Sequence, residues 1–275
     1  MKEFLLAWGA EFLVVQLRAG YDPFHDDELI SFVESCPAEK ETVALLWGHY
    51  KDTIPETIYR RRVADMFPAS RVIRFELGWI ERDRYFQVRA DDPLEEPEYQ
   101  ELASSLAEFR RQHLGSLLME QRGHAIHRHS LHRDASLLIA GQVPWDTAVQ
   151  GENHLGWLRQ RIEEAAAGDV FRPHPKVGLG VYEGIPELAR SKGVLVQDPG
   201  SPPDWSRVRW VVTQSSTLAV DALMNGVPAF QDSERSPLSL ASRVCPGGDP
   251  IRTLETFQWS LEEIARGDWL PWAFY

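Results

Sequence analysis

Cysteine is scarce in this sequence, and what is scarce narrows the reading first. Cys36 and Cys245 are the only two in 275 residues, far apart and in unlike surroundings. They offer neither a disulfide framework nor a zinc-ligand spacing, so a reducing compartment is the simplest expectation. A long apolar run is missing too. Met1–Gln16 is apolar at its centre but carries Lys2, Glu3 and Glu11, too short and interrupted to cross a bilayer and unlike a signal peptide. Positive charge is in deficit: 29 Lys and Arg against 41 Asp and Glu give a net charge of −12, which argues against broad electrostatic binding of nucleic acid. Internal repeats and low-complexity tracts are absent. What remains is a globular composition, 43% hydrophobic, long enough for one large domain or two of about 130 residues each. Ten tryptophans supply core and rim surface, and some could line a binding cleft.

The chain is organised around Val170-Phe171-Arg172-Pro173-His174-Pro175-Lys176. Val170 and Phe171 read as the end of a buried strand. The prolines after them forbid both helix and ladder, so the chain leaves the sheet in an extended loop. Arg172, His174 and Lys176 are concentrated there, a set suited to a phosphate or carboxylate; a Pro-stiffened loop with solvated charges is the alternative. Some forty residues on, an apolar strand from Trp210 runs into Gln214-Ser215-Ser216-Thr217, then a helix of small and apolar residues, Gly226 as its stop and Pro228 before the next strand. This is a β-turn-α-β unit. Ser215, Ser216 and Thr217 stand where the helix begins, so hydroxyls and backbone N–H groups converge on a place favourable to an anion. Simple N-capping would need one hydroxyl.

In chain order, the first half predicts strands over Phe4–Trp8, Phe12–Leu17, Thr42–Trp47 and Arg71–Phe75, with helices over Asp26–Cys36, Glu56–Met66 and Glu101–Leu118. Glu76-Leu77-Gly78 follows a strand, where a carboxylate beside a glycine that lets another group approach is a candidate catalytic position; a solvated turn residue is the alternative. The run from His124 to Arg133 holds four histidines, but no cysteine accompanies them and Arg128 and Arg133 would repel a cation. It reads as a polar crossing between two halves rather than a metal site. The second half predicts strands over Ala135–Ala140, Asp169–Phe171 and Val194–Gln197, and helices over Leu155–Ala166, Ile185–Ser191, Ser239–Val244 and Thr256–Arg266. Gly141-Gln142 and Pro144 place Gln142 and Asp146 at a strand's end.

Three motifs in order, Gly141-Gln142-x-x-x-Asp146, Arg172-Pro-His-Pro-Lys176, and Ser215-Ser216-Thr217 before Ala-Leu-x-x-Gly-x-Pro, together with Glu76-x-Gly78, resemble the bacterial capsule polysaccharide synthesis family. That family contains Kdo transferases that use CMP-Kdo, and the resemblance covers roughly residues 70 to 265. Bacterial sialyltransferases place a similar His-Pro and Ser-Ser pair. The chain is short for such an enzyme, which implies a trimmed acceptor-side half. The resemblance implies an α/β fold of two Rossmann-like domains facing across a cleft, the GT-B arrangement: 1–133 on the acceptor side, 134–255 for the nucleotide sugar, and 256–275 as a C-terminal helix and aromatic tail returning to the first domain.

It further implies a metal-independent glycosyltransferase with no cofactor, taking an acidic sugar from CMP to a glycan acceptor, in the cytoplasm or at the inner face of the membrane. Asp146 is then the nucleophile of a retaining double displacement and Glu76 the acid/base, with His174 completing the catalytic set. Gln142, Arg172, His174, Lys176, Gln214, Ser215, Ser216 and Thr217 hold the donor, because fixed donors must stabilise the departing CMP when no metal does. Two other readings stay open: a transferase of the same donor fold acting on a modified nucleobase or small molecule, and a catalytically silent nucleotide-sugar-binding module, which would need neither Asp146 nor Glu76.

Overall fold

The computed structural model describes residues 44–47, 65, 72–80, 82, 84–90, 104–110, 135–145, 149, 152–266 and 268–269. Contacts group the chain into two units, Met1–Glu108 with Phe257–Tyr275, and Phe109–Thr256. The sequence expectation put its first boundary at residue 133; the grouping changes at Glu108/Phe109. Strands expected over Phe4–Trp8 and Phe12–Leu17, the helix over Asp26–Cys36 and the histidine run at 124–133 lie outside the described residues.

In the second unit, strands β4 (Ser136–Ala140), β5 (Val170–Arg172), β6 (Leu195–Val196), β7 (Val208–Thr213) and β8 (Ala229–Gln231) form one sheet of order β6-β5-β4-β7-β8. Every pairing is parallel. Parallel neighbours require crossovers, supplied here by helices α1 (His154–Glu164), α2 (Ile185–Ser191) and α3 (Leu218–Met224), followed by α4 (Pro237–Val244) and α5 (Pro250–Thr256). Because strand side chains alternate, β4 serves two cores. Ile139 packs with Leu158 and Ile162 of α1, Phe171, and Ile185 and Ala189 of α2. Its neighbour Leu138 faces the other way, toward Val208, Val211, Ala222 and Val227. Each of the large side chains among them is worth about 1.5–3 kcal/mol when fully buried. Burial on both faces is why the central strand β4 reads as a continuous apolar run, whereas β6, β7 and β8 expose Leu195, Trp210 and Phe230.

The strand order has a consequence for function. The chain starts in the middle with β4, moves outward to β5 and β6, then returns to the other side of β4 for β7 and β8. At such a reversal, the crossovers after β4 and β7 leave on opposite faces and a crevice opens outside their carboxyl ends. Those ends carry Gly141-Gln142 and Gln214-Ser215-Ser216-Thr217.

The first unit is built differently. Strands β1 (Ala44–Trp47), β2 (Val72–Leu77), β3 (Tyr85–Ala90) and β9 (Gln258–Ser260) form a sheet in that order. β1 and β2 are parallel, whereas β2–β3 and β3–β9 are antiparallel. Two local expectations are corrected here. A continuous helix over Thr256–Arg266 is replaced by β9 and a shorter helix α6 (Leu261–Arg266), because Gln258–Ser260 completes the ladder on β3. Glu76 lies inside β2, opposite Gln87, rather than in a loop beyond it. Trp269 packs edge-on against Phe75 with ring centroids 5.4 Å apart and donates its indole N–H to the Ile264 carbonyl. Among the described residues, no helix is long and apolar enough to cross a membrane.

Candidate functional site

At the end of β4 the chain passes through Gly141, where a side chain would crowd Tyr182: a Cβ there would lie 3.0 Å from its ring and hydroxyl. The glycine thus lets the buried Tyr182 approach the backbone, and that phenol ties two of the sequence motifs together. It accepts the His174 N–H at 2.8 Å and donates to the Gln142 carbonyl at 3.1 Å. Gly141 N–H reaches the Arg172 carbonyl at 2.8 Å, so the glycine-glutamine turn and the His-Pro loop are also joined through backbone. Burial pushes the Tyr182 phenol up from its ordinary value, against the opposing pull of the His174 N–H and the Arg172 charge.

Gln142 then carries the connection to the third motif. Its side-chain Oε1 accepts the Ser215 N–H at 2.7 Å, across the point where the strand order reverses. Its own N–H donates to His154 Nε2 at 3.0 Å. With Oε1 engaged, the amide Nε2 meets no partner among the described residues. All three sequence motifs therefore converge on one 5% exposed glutamine.

Arg172 is the last residue of β5 rather than a loop residue. It and Thr213 are both register partners of Ala140, on opposite sides of β4, so their backbones stand about 10 Å apart by strand spacing. The Arg172 guanidinium donates from Nη2 to the Ser201 carbonyl at 3.4 Å, while Nε is buried with no partner. Burial lowers its pKa, partly offset by Asp221 and Tyr182. A cation that has lost water without gaining a matched partner favours an incoming anion. His174 Nδ1 accepts the Lys176 N–H at 3.2 Å, which leaves the proton of a neutral ring on Nε2. Lys176 is exposed.

The hydroxyl turn differs from its sequence expectation in one respect. Its N–H groups are largely used within the protein: Ser215 N–H goes to Gln142, Ser216 N–H to Thr213 Oγ1 at 3.1 Å, and Leu218 N–H to Ser216 Oγ at 3.2 Å. Thr217 is the N-cap residue of α3 but makes no capping bond with its side chain. Ser215 Oγ, in contrast, is buried without a partner. Gln214, expected to touch a donor, has its amide engaged at both ends: Oε1 lies 2.6 Å from His154 Nδ1, and Nε2 donates to Glu152 at 2.5 Å.

Of the other expected site residues, Asp146 lies outside the described residues. Glu76 is half-buried in β2 of the first unit. The room left by Gly78 is used by the protein itself, since a Cβ there would lie 2.6 Å from Gln258 Oε1 and 2.8 Å from the Tyr85 carbonyl. Sequence reasoning missed Tyr182, Glu152, His154 and Ser233. The only local signal was the polar Glu152-Asn153-His154 cluster at the start of α1.

No protein-family model matches the chain, and no curated protein matches it. Among solved structures, it is similar to the β-Kdo 2,7 transferase KpsC of Thermosulfurimonas dismutans, at 16% identity over 90% of this chain and 89% of that chain, with a TM-score of 0.50. The β-Kdo 2,4 transferase KpsC of the same organism matches at 16% identity over 81% and 85%, with a TM-score of 0.44. At this identity the likeness to the 2,7 transferase is one of fold, and at that level it agrees with the resemblance carried by the motifs.

Proposed function

We propose that this protein is a metal-independent glycosyltransferase that moves an acidic, Kdo-like sugar from a CMP-activated donor to a glycan acceptor. The observation that carries the reading is the pair of buried, unpartnered groups at the reversal of the parallel sheet, Arg172 Nε and Ser215 Oγ, beside a Gln142 whose Oε1 is held by the Ser215 N–H. A donor with one phosphodiester and one sugar carboxylate presents anionic oxygens to such a set. The fold likeness to a Kdo transferase supports the choice of chemistry.

In this reading Arg172 meets the anion as a desolvated charge, and Lys176 adds charge at the loop's open side. Gln142, His174 and Ser215 orient the donor, with Ser216, Thr217 and Gln214 shaping the wall behind them. The Asp146 carboxylate attacks the anomeric carbon, the bond from that carbon to the phosphate oxygen breaks, and its electron pair leaves on CMP. The acceptor hydroxyl oxygen then displaces Asp146 from the sugar and its proton passes to Glu76, so configuration is retained over two displacements. In this reading the enzyme works in the cytoplasm or at the inner face of the membrane.

Incubation with CMP-, UDP- and GDP-sugars tests the assignment. Hydrolysis or transfer is expected with the CMP-linked acidic sugar, undiminished by EDTA. Donor trapped without acceptor leaves a sugar adduct on the Asp146 peptide, and Asp146→Ala loses both adduct and transfer while still binding CMP. Equal turnover of all three nucleotide sugars, a requirement for added divalent ion, or an active Asp146→Ala lacking any adduct contradicts the proposal.

A further inference from the structure

Behind the crevice runs a chain of hydrogen bonds, part-buried at Glu152 and buried from His154 inward, whose direction is set from one end. Glu152 is the fixed end, because a carboxylate only accepts. Its Oε1 takes the Ser233 hydroxyl at 2.7 Å and its Oε2 takes Gln214 Nε2 at 2.5 Å. That bond turns the Gln214 amide so that its oxygen faces His154 Nδ1, 2.6 Å away. A carbonyl oxygen also only accepts, so Nδ1 carries the proton. His154 Nε2 is then a lone pair, and it receives the Gln142 backbone N–H at 3.0 Å. His154, Gln142, Gln214 and Ser233 are each no more than 5% exposed.

We infer that Glu152 and His154 are positioning residues whose hydrogen-bond polarity fixes the Gln142 turn and thereby aims the Gln142 amide N–H donors at the ligand of the crevice. The inference rests on the nucleotide-sugar reading of this site. Gln142 is held at three atoms: N–H by His154, C=O by the Tyr182 hydroxyl and Oε1 by the Ser215 N–H. Only Nε2 is left for a ligand. His154 itself is not a catalytic base here, since both ring nitrogens are engaged inside the chain and Trp157 stacks on the ring with centroids 5.8 Å apart.

Polarity can be reversed by one substitution. In Glu152→Lys the ammonium only donates, so Gln214 turns its oxygen toward it and offers Nε2 to His154. Nδ1 must then accept, and a proton on Nε2 opposes the Gln142 N–H. In the full chain with ¹⁵N-labelled histidine, wild-type His154 is expected as the neutral Nδ1–H tautomer. Glu152→Lys loses that tautomer, and its affinity for CMP, read by calorimetry, falls about tenfold. Glu152→Gln can still offer an oxygen to Gln214, and it restores both the tautomer and most of the affinity. Should Glu152→Lys not fold, Glu152→Ala, which removes the acceptor without reversing it, is compared with Glu152→Gln, and the tautomer and the CMP affinity are expected to be lost in the first and kept in the second.

A wild-type His154 protonated on Nε2 overturns the hydrogen-bond chain. An unchanged CMP affinity in Glu152→Lys, or equal losses in Glu152→Lys and Glu152→Gln tracking their melting temperatures, overturns the positioning role. A wild-type protein that binds no CMP while showing the Nδ1–H tautomer overturns the nucleotide reading and with it the inferred purpose of the chain.

Discussion

The His-Pro loop and the hydroxyl turn leave the same edge of one parallel sheet, on either side of β4, yet they dispose of their polar groups in opposite ways. The hydroxyl turn is closed on itself. Ser215 and Ser216 N–H groups go to Gln142 and Thr213, and Ser216 Oγ caps Leu218. The His-Pro loop is pinned by the His174 N–H on the Tyr182 hydroxyl and the Gly141 N–H on the Arg172 carbonyl, and it leaves charge over: Arg172 makes one long bond to Ser201 and keeps a buried Nε without a partner. Under the proposed function the difference separates two tasks that the sequence merged: one loop would supply the field that attracts an anion and the other the shape, with Ser215 Oγ buried and without a partner.

That contrast breaks most visibly at Arg172. Arg172→Ala removes charge-assisted bonds worth about 1.5–3 kcal/mol to an anionic ligand, a loss of roughly ten- to a hundredfold in CMP affinity, with little loss of melting temperature because the desolvated cation costs the fold something to hold. Calorimetry and thermal melting of the same variant check both halves.

Tyr182 joins the His-Pro loop to the Gln142 turn, so its loss is expected to show in stability before binding. Tyr182→Phe leaves the His174 N–H and the Gln142 carbonyl without their partner, at a cost of about 1–3 kcal/mol by chemical denaturation. The same phenol predicts a pH effect. Its pKa is raised above 10.0 in the fold, so the stability of the neutral buried form is complete below about pH 10 and is lost as the pH climbs through the raised value. Tyr182→Phe flattens that alkaline decline; an identical decline in both proteins contradicts the assignment.

Ser216→Ala sharpens the comparison from the other side. It deletes a local cap and costs about 1 kcal/mol of stability, while CMP affinity stays nearly level. A binding loss as large as that of Arg172→Ala would show that the turn, too, meets the ligand's charge.

How far the sequence revealed these features follows the range of the interactions that make them. β4 and β5 were legible because short apolar runs end there at Gly141 and Arg172-Pro173, and β7 because Trp210-Val211-Val212 runs into the hydroxyl turn. β3 was overlooked: Tyr85-Phe86-Gln87-Val88-Arg89-Ala90 is mixed in polarity, with Tyr85 to Val88 half-buried, and it is a strand because Val72–Leu77 and Gln258–Ser260 flank it. β9 was read as helix for the same reason, since a three-residue strand is defined by a partner far away in sequence. The site shows the same limit. Gln142, Arg172 and Ser215 stood out by residue type at strand ends, but the roles of Tyr182 and Glu152 depend on folding that brings residues 142, 154, 174 and 214 together, and no local spacing encodes that.

The central claim is that the crevice at the ends of β4 and β7 receives a CMP-linked anion. Its most direct test is a calorimetric titration of wild-type protein with CMP, UDP and GDP in the presence of EDTA. The account predicts saturable binding of CMP, with UDP and GDP far weaker. Three indistinguishable isotherms, or no CMP binding until a divalent ion is added, would contradict it.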